Sequence, residues 1–117
     1  MLIAEDSLLI AMDLENILTA FGCEVIGPVS TVGEAIDLIA VSSIDAAILD
    51  FLLADGSAEP LAEYLDDKGI PFAICTGTEE HKLSEYYPRT PILGKPYDSD
   101  DVRMLVNGLI ACRLTGS

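Results

Sequence analysis

The stretch Ile44-Asp-Ala-Ala-Ile-Leu-Asp50 decides the fold of this chain, because it is an apolar run that ends abruptly on a carboxylate. Its apolar residues show no helical spacing, and its length suits a strand covered on both faces. Ligands and chemistry collect outside the carboxyl ends of the strands in an open parallel sheet. Asp50 is therefore a candidate site residue, although an acid that only caps the following loop would give the same local pattern.

Four further short apolar stretches predict strands that alternate with helices. They cover residues 2–4, 23–29, 70–75 and 91–94. Five strands alternating with five helices predict an α/β fold, in which right-handed crossovers cover a parallel sheet on both faces. The common order for so small a sheet is 2-1-3-4-5, the flavodoxin-like, doubly wound arrangement. The first and third strands are then neighbours at the switch point of the sheet.

Capping residues and apolar spacing predict where the helices begin and end. Thr31 and Glu34 form a capping box, and Gly22 is a natural end for the first helix. A weak apolar stripe predicts the fourth helix over residues 78–87. The remaining helices have these predicted caps: Ser7 for the first, Ser57 for the third, and Asp98 or Ser99 for the fifth.

The composition indicates one soluble, globular domain over residues 1–117, with no output domain in this stretch. Twenty acidic residues against six basic ones give a net charge of −14, which disfavours binding to nucleic acid. No apolar run is long enough to span a membrane, and the first ten residues lack a basic start, so we expect a cytoplasmic protein without membrane contact. Cys23, Cys75 and Cys112 are widely spaced and are expected to be reduced core thiols.

Chemically useful side chains follow four of the predicted strands. The first strand ends on Glu5-Asp6, the third on Asp50, the fourth on Thr76 and the fifth on Lys95. Two like charges roughly 4 Å apart repel by about 4 kcal/mol at an effective dielectric constant near 20, so three acids gathered here favour a bound cation. An all-oxygen set with few protein ligands suits Mg²⁺ better than Ca²⁺, and no histidine or cysteine is placed to favour zinc.

With a metal in place, Asp50 is suited to act as a nucleophile toward phosphorus and form an acyl phosphate. Lys95 would neutralise charge on the phosphoryl group, Thr76 would hydrogen-bond one of its oxygens, and Gly77 would leave the approach open. Each residue also has an ordinary interpretation: Thr76 as a turn residue, Lys95 as a solvated lysine, Glu5-Asp6 as acids at a helix start. Five suitable groups at four strand ends favour the functional interpretation.

The order Glu5-Asp6, Asp50, Thr76-Gly77, Lys95-Pro96 covers essentially the whole chain and resembles the receiver domain of two-component response regulators. The resemblance implies a phosphoaspartate at Asp50 and a cis peptide at Lys95-Pro96. It also implies Mg²⁺ held by Glu5, partly through water, by Asp6 and Asp50, and by the backbone carbonyl of Leu52. It further implies a histidine kinase or phosphotransfer protein as donor, a downstream protein target, and a signalling role rather than an enzyme's turnover.

Two positions depart from the family pattern. Ile92 stands three residues before the lysine, where the family often places an aromatic switch residue, and the substitutes available nearby are Tyr86, Tyr87 and Tyr97. The loop after Asp50 lacks the usual proline and reaches Asp55-Gly56 early, so the geometry around the Leu52 carbonyl is expected to differ. These features, with Pro71-Phe72 and Thr76-Gly77, are similar to a subgroup of stand-alone bacterial receivers.

The sequence also has to be weighed against three alternative functions. A pseudoreceiver that only binds proteins would lack an acid, the hydroxyl or the lysine, and none is missing. An aspartate-nucleophile phosphatase usually carries an acid two residues after its nucleophile, where this chain has Leu52. A flavin or nucleotide binder would need a phosphate-binding loop after the first strand, where Glu5-Asp6-Ser7 would repel phosphate.

The residues beside the site also bear on how long a phosphoryl group would persist. Leu52 and Thr78 occupy the positions at which the family tunes this lifetime, and apolar Leu52 offers no group to position water. We therefore expect slow self-dephosphorylation. The sequence leaves open the oligomeric state, and whether the receiver is free-standing or part of a longer chain.

Overall fold

The computed structural model describes residues 1–77, 85, 87–88, 90–94 and 98–116, with side chains described as far as residue 109. Within these residues, five strands form a parallel sheet: β1 Leu2–Ala4, β2 Ile26–Val29, β3 Ala47–Asp50, β6 Phe72–Thr76 and β7 Ile92–Gly94. Two short strands, β4 Leu52–Leu53 and β5 Gly56–Ser57, form an antiparallel hairpin. The helices in the described part are α1 Leu8–Ala20, α2 Val32–Val41, α3 Glu59–Asp67 and α4 Ser99–Gly116.

The strand order is β2-β1-β3-β6-β7, which confirms the predicted order 2-1-3-4-5 and the flavodoxin-like α/β fold. β3 lies at the centre of the sheet, with β1 on one side and β6 on the other. The register pairs Ala4 with Leu49 and Asp50 with Cys75. Because these strands are parallel and nearly in step, their carboxyl ends meet at one edge.

The sheet separates two apolar layers, and successive strand residues point into opposite layers. In β3, Leu49 packs toward α2 and α3, whereas Ile48 packs toward α1 and α4. Both residues are fully buried, as are Leu2 and Ile3 of β1. Burial on both faces explains why these strands are continuous apolar runs, as the pattern of residues 44–50 predicted.

The helix boundaries confirm most of the predicted caps and correct two of them. Thr31 Oγ1 accepts from the Glu34 N–H at 3.1 Å, and Gly22 follows α1 with a φ of +83°. Ser7 occupies the N-cap position of α1, but its side chain makes no capping hydrogen bond. The N-cap of α3 is Ala58 rather than Ser57, although Ser57 Oγ accepts from the Glu59 N–H at 3.1 Å.

For α4, the structure decides between the two predicted caps. Asp98 Oδ1 accepts from the Asp101 N–H at 2.9 Å, and Asp101 Oδ2 accepts from the Asp98 N–H at 3.2 Å. This reciprocal pair of bonds has the geometry of a capping box, with Asp98 as the cap.

Three strands are shorter or shifted relative to the prediction. β2 begins at Ile26 rather than at residue 23, β3 begins at Ala47 rather than at residue 44, and β6 includes Thr76. Ile44 and Ala46 are nevertheless buried. An apolar run indicates which residues are buried, and buried residues continue beyond those that pair with a neighbouring strand. The sequence therefore predicts strands that are longer than the paired segments.

Some sequence-based expectations fall on residues that the structure does not describe, including most of the predicted helix over 78–87. Cys75 is buried and Cys23 is half-buried, neither is part of a disulfide bond among the described residues, and the side chain of Cys112 is outside the described part. Among the described helices, none combines the length and the hydropathy that crossing a bilayer would require.

Helix α1 offers a matched test of this core, because Leu18 is 0% exposed and Leu9 is 81% exposed. Leu18→Ala is expected to lower the free energy of unfolding by about 2–5 kcal/mol, since it leaves a cavity against the sheet. Leu9→Ala is expected to change it by less than about 0.5 kcal/mol. Urea unfolding followed by circular dichroism measures both, and equal losses in the two variants would contradict this placement of α1.

Candidate functional site

Three carboxylates converge at the carboxyl ends of β1 and β3. One oxygen each from Glu5, Asp6 and Asp50 can be chosen so that all three lie within 4.8 Å of one another. Glu5 is buried, with 5% of its surface exposed, whereas Asp6 is exposed and Asp50 is partly buried. The structure thus brings together the three acids that the sequence placed at neighbouring strand ends.

Local backbone contacts orient two of these acids. Glu5 Oε2 accepts from the Ser7 N–H at 3.2 Å, which turns the chain into α1. Asp50 Oδ1 accepts from the Leu52 N–H at 3.3 Å. The nucleophile candidate is therefore in contact with the backbone of the hairpin that follows it.

Thr76 and Gly77 lie at the neighbouring strand end. Thr76 is 7% exposed and is the last residue of β6, one position beyond Cys75, the residue paired with Asp50. A Cβ built on Gly77 would meet no described atom within 4 Å, so the space beside it is open in the described part of the chain. This placement agrees with the expectation that a hydroxyl and an open approach stand next to Asp50.

Gly94 is paired with Thr76 and immediately precedes the predicted site lysine. Lys95, Pro96 and Thr78 themselves lie outside the described residues, and so does the expected cis peptide at Lys95-Pro96. The roles assigned to these three residues stay predictions.

Phe51, the residue that follows Asp50, contacts a second aromatic ring. Phe51 and Tyr87 meet edge to face, with ring centroids 6.4 Å apart. Burial raises the pKa of the Tyr87 hydroxyl above its ordinary value, and the carboxylates of Glu59 and Glu63 raise it further.

Ile92, at the family's aromatic position, is half-buried in the layer formed with α2 and α3. Tyr86 and Tyr97, the other candidate substitutes, lie outside the described residues.

The sequence reasoning missed the β4–β5 hairpin and what holds its tip. Leu53 pairs with Gly56, so Ala54 and Asp55 form a two-residue turn, and Gly56 has a φ of +123°, which glycine tolerates readily. The Asp55 carboxylate accepts from the N–H groups at the start of α2. An Asp-Gly pair directly after two apolar residues is a hairpin signal, but the contact with α2 spans more than twenty residues and leaves no local signal.

The acid cluster fits the metal that the sequence predicted. Hard divalent cations prefer carboxylate oxygens, and Mg²⁺ in particular is commonly bound through a few carboxylates while keeping several waters. Glu5, Asp6 and Asp50 offer such a set, and an exposed Asp6 leaves room for water. That Leu52 supplies a carbonyl ligand stays a prediction.

Comparisons with known proteins place this chain in a family. No protein-family model matches the chain. The phyllosphere-induced regulator PhyR of Methylorubrum extorquens is 34% identical over 110 residues, which are 91% of this chain and 41% of PhyR. The chain thus spans less than half the length of that curated relative.

Solved structures agree with this relationship. SdrG of Sphingomonas melonis is 36% identical, with a TM-score of 0.78, over 97% of this chain and 94% of SdrG. The receiver domain of the response regulator PhyR from Erythrobacter litoralis is 26% identical, with a TM-score of 0.86, over 99% of this chain and 92% of that domain. Fold and site define a flavodoxin-like domain with an acidic cluster at its switch point. The chain belongs to the receiver domains of response regulators.

Because the three acids lie close together, we expect that neutralising one of them stabilises the metal-free protein. Asp6→Asn removes one of three neighbouring negative charges, and each pair at this separation repels by about 1 kcal/mol even at the dielectric constant of water. Asp6→Asn is therefore expected to raise the urea midpoint in EDTA and to reduce the further rise that Mg²⁺ produces. Asp13→Asn, which removes an exposed charge on α1 outside the cluster, is the control. An equal rise in the control would attribute the effect to net charge alone.

Proposed function

We propose that this chain is a phosphoacceptor of a two-component phosphorelay, phosphorylated on Asp50 in a Mg²⁺-dependent reaction. The observation that carries this function is the position of Asp50 between two acids and a buried threonine at one sheet edge. The donor is a phosphohistidine on a kinase or phosphotransfer protein. The chain then signals through contacts with a downstream protein.

In the proposed reaction, a carboxylate oxygen of Asp50 attacks the phosphorus atom of the donor. An oxygen–phosphorus bond forms, the bond from phosphorus to the histidine nitrogen breaks, and that nitrogen keeps the electron pair. The product is an acyl phosphate on Asp50. Hydrolysis of this acyl phosphate later returns the carboxylate and inorganic phosphate.

The side chains around Asp50 hold and neutralise the transferred group. The Thr76 hydroxyl, at the next strand end, would donate to a phosphoryl oxygen, and Lys95, which follows Gly94, would supply positive charge. Glu5, Asp6 and Asp50 would hold Mg²⁺. When bound, Mg²⁺ offsets the negative charge that both the acids and the phosphoryl group bring to this edge.

Relatives support both the reaction and its use in signalling. SdrG has been solved in a BeF3-activated conformation, and beryllium trifluoride is a general mimic of a phosphoryl group. PhyR of Bartonella quintana, 26% identical over 98% of this chain, is an anti-anti-sigma factor. A protein target is therefore the output we propose, and a non-phosphorylated, protein-binding pseudoreceiver is the alternative.

Intact mass spectrometry after incubation with acetyl phosphate tests the phosphoacceptor reaction. The parent protein is expected to gain one phosphoryl group with Mg²⁺ and none in EDTA, because three carboxylates would otherwise repel the donor's phosphate. Asp50→Ala is expected to gain none, while Asp13→Ala, which removes an exposed acid of α1, behaves like the parent.

Two other results would change the conclusion. A parent that binds Mg²⁺ without gaining mass would point to a strict requirement for a phosphohistidine donor, which a purified phosphorylated phosphotransfer protein tests directly. A parent that neither binds Mg²⁺ nor gains mass, even from that protein donor, would favour the pseudoreceiver.

The lifetime of the acyl phosphate provides a second test. Leu52 is 64% exposed beside Asp50 and has no polar atom in its side chain to position a water molecule. Leu52→Asn is therefore expected to speed dephosphorylation several-fold, measured as the decay of the phosphorylated mass after the donor is removed. Leu9→Asn makes the same change at a similarly exposed leucine on α1 and should leave the decay unchanged. A parental decay rate in Leu52→Asn would contradict this role.

A further inference from the structure

We propose that Asp55 is a positioning residue for the Asp50 phosphoacceptor, an inference that rests on the proposed function. Its carboxylate fastens the tip of the β4–β5 hairpin to the start of α2. The hairpin begins at Leu52, whose N–H contacts Asp50. Fixing the tip of so short a hairpin therefore fixes the backbone beside the nucleophile.

The tether consists of several hydrogen bonds between the hairpin tip and the β2–α2 junction. Asp55 Oδ1 accepts from the Val32 N–H at 2.9 Å, and Oδ2 accepts from Val32 at 3.1 Å and from Gly33 at 3.4 Å. The neighbouring Ala54 N–H donates to the Ser30 carbonyl at 2.9 Å. A carboxylate is the favoured partner here because the start of a helix carries partial positive charge.

The start of α2 divides its free N–H groups between two sources. The Thr31 side chain accepts from the Glu34 N–H, and the Thr31 carbonyl accepts from the Ala35 N–H as the first bond within the helix. Asp55 accepts from the N–H groups of Val32 and Gly33. Both Thr31 and Asp55 therefore cap α2, and Asp55 also joins the helix to the segment after the phosphoacceptor.

The hairpin has few other anchors. At its base the Ala58 N–H donates to the Phe51 carbonyl at 2.7 Å, and in its first strand Leu53 is buried in the core. The Leu52 side chain is mostly exposed, so packing does not hold the residue that contacts Asp50. Among the described residues, Asp55 supplies the side-chain hydrogen bonds that hold the tip, and one substitution removes them.

Asp55 acts on the reaction through the backbone rather than by contact. Its oxygens are engaged at α2, and it is not part of the cluster formed by Glu5, Asp6 and Asp50. Without the bonds to the Asp55 side chain, the hairpin tip keeps the Ala54–Ser30 backbone bond at this junction, and the Leu52 backbone would sample positions in which the Asp50 carboxylate is less well aligned. Small misplacements of a reacting group are costly, because alignment supplies much of a rate enhancement.

The test compares Asp55→Ala with Thr31→Ala, which removes the other cap of α2 and leaves the tether in place. We expect Asp55→Ala to slow phosphorylation by acetyl phosphate about tenfold, because the Asp50 carboxylate would be less well aligned for attack. Its affinity for Mg²⁺ alone, measured by titration calorimetry, should fall several-fold. Thr31→Ala should keep the parental rate and affinity at a similar cost in urea midpoint. Asp55→Asn, which retains an oxygen acceptor, should recover most of the rate.

Each outcome bears on the inference. Parental rate and affinity in Asp55→Ala, with only the urea midpoint lowered, would show that Asp55 is a helix cap and nothing more. An equal slowing in Thr31→Ala would assign the effect to stability and would also overturn the inference. A parent that takes up no phosphoryl group from acetyl phosphate or from a phosphorylated phosphotransfer protein would refute the proposed function and this inference with it, whereas a reactive parent matched by Asp55→Ala refutes the inference alone.

Discussion

The gathering of three carboxylates, those of Glu5, Asp6 and Asp50, at one edge of the sheet is the constraint on which the rest of this structure depends. Like charges this close to one another carry an electrostatic cost unless a cation offsets them. The apolar layers on both faces of the sheet have to exceed that cost. The acids stand where β1 and β3 end, and those two strands are among the most completely buried segments of the chain.

The register of the sheet explains why the acids meet at all. Ala4 of β1 is paired with Leu49 of β3, so Glu5 and Asp50 each come one residue after the last pair. A shift of one residue would turn every core side chain of a strand to the opposite face. Packing in the two layers therefore helps to fix the separation of the carboxylates.

The parallel register also explains how much of the fold and of the candidate site could be predicted from the sequence alone. Apolar runs of the right length predicted the sheet, its order and the meeting of Glu5, Asp6 and Asp50, because parallel strands share one carboxyl edge. Caps within a few residues of their helix were largely predictable, as Thr31 and Asp98 show. The bonds from Asp55 to Val32 were not, because nothing at either residue indicates a partner 23 positions away.

The segment after Asp50 connects the candidate nucleophile to three other parts of the structure. The Phe51 N–H donates to the Cys75 carbonyl at 3.2 Å, its own carbonyl accepts from Ala58, and its ring meets Tyr87. Asp55, four residues later, is bonded to α2. A displacement of the backbone at residue 51 must therefore strain a bond to β6, open the base of the hairpin or move the Tyr87 ring. The carboxylates of Glu59 and Glu63 on α3 act electrostatically on Tyr87, so the ring contact connects the segment after Asp50 to α3 as well as to the layer that holds Ile92.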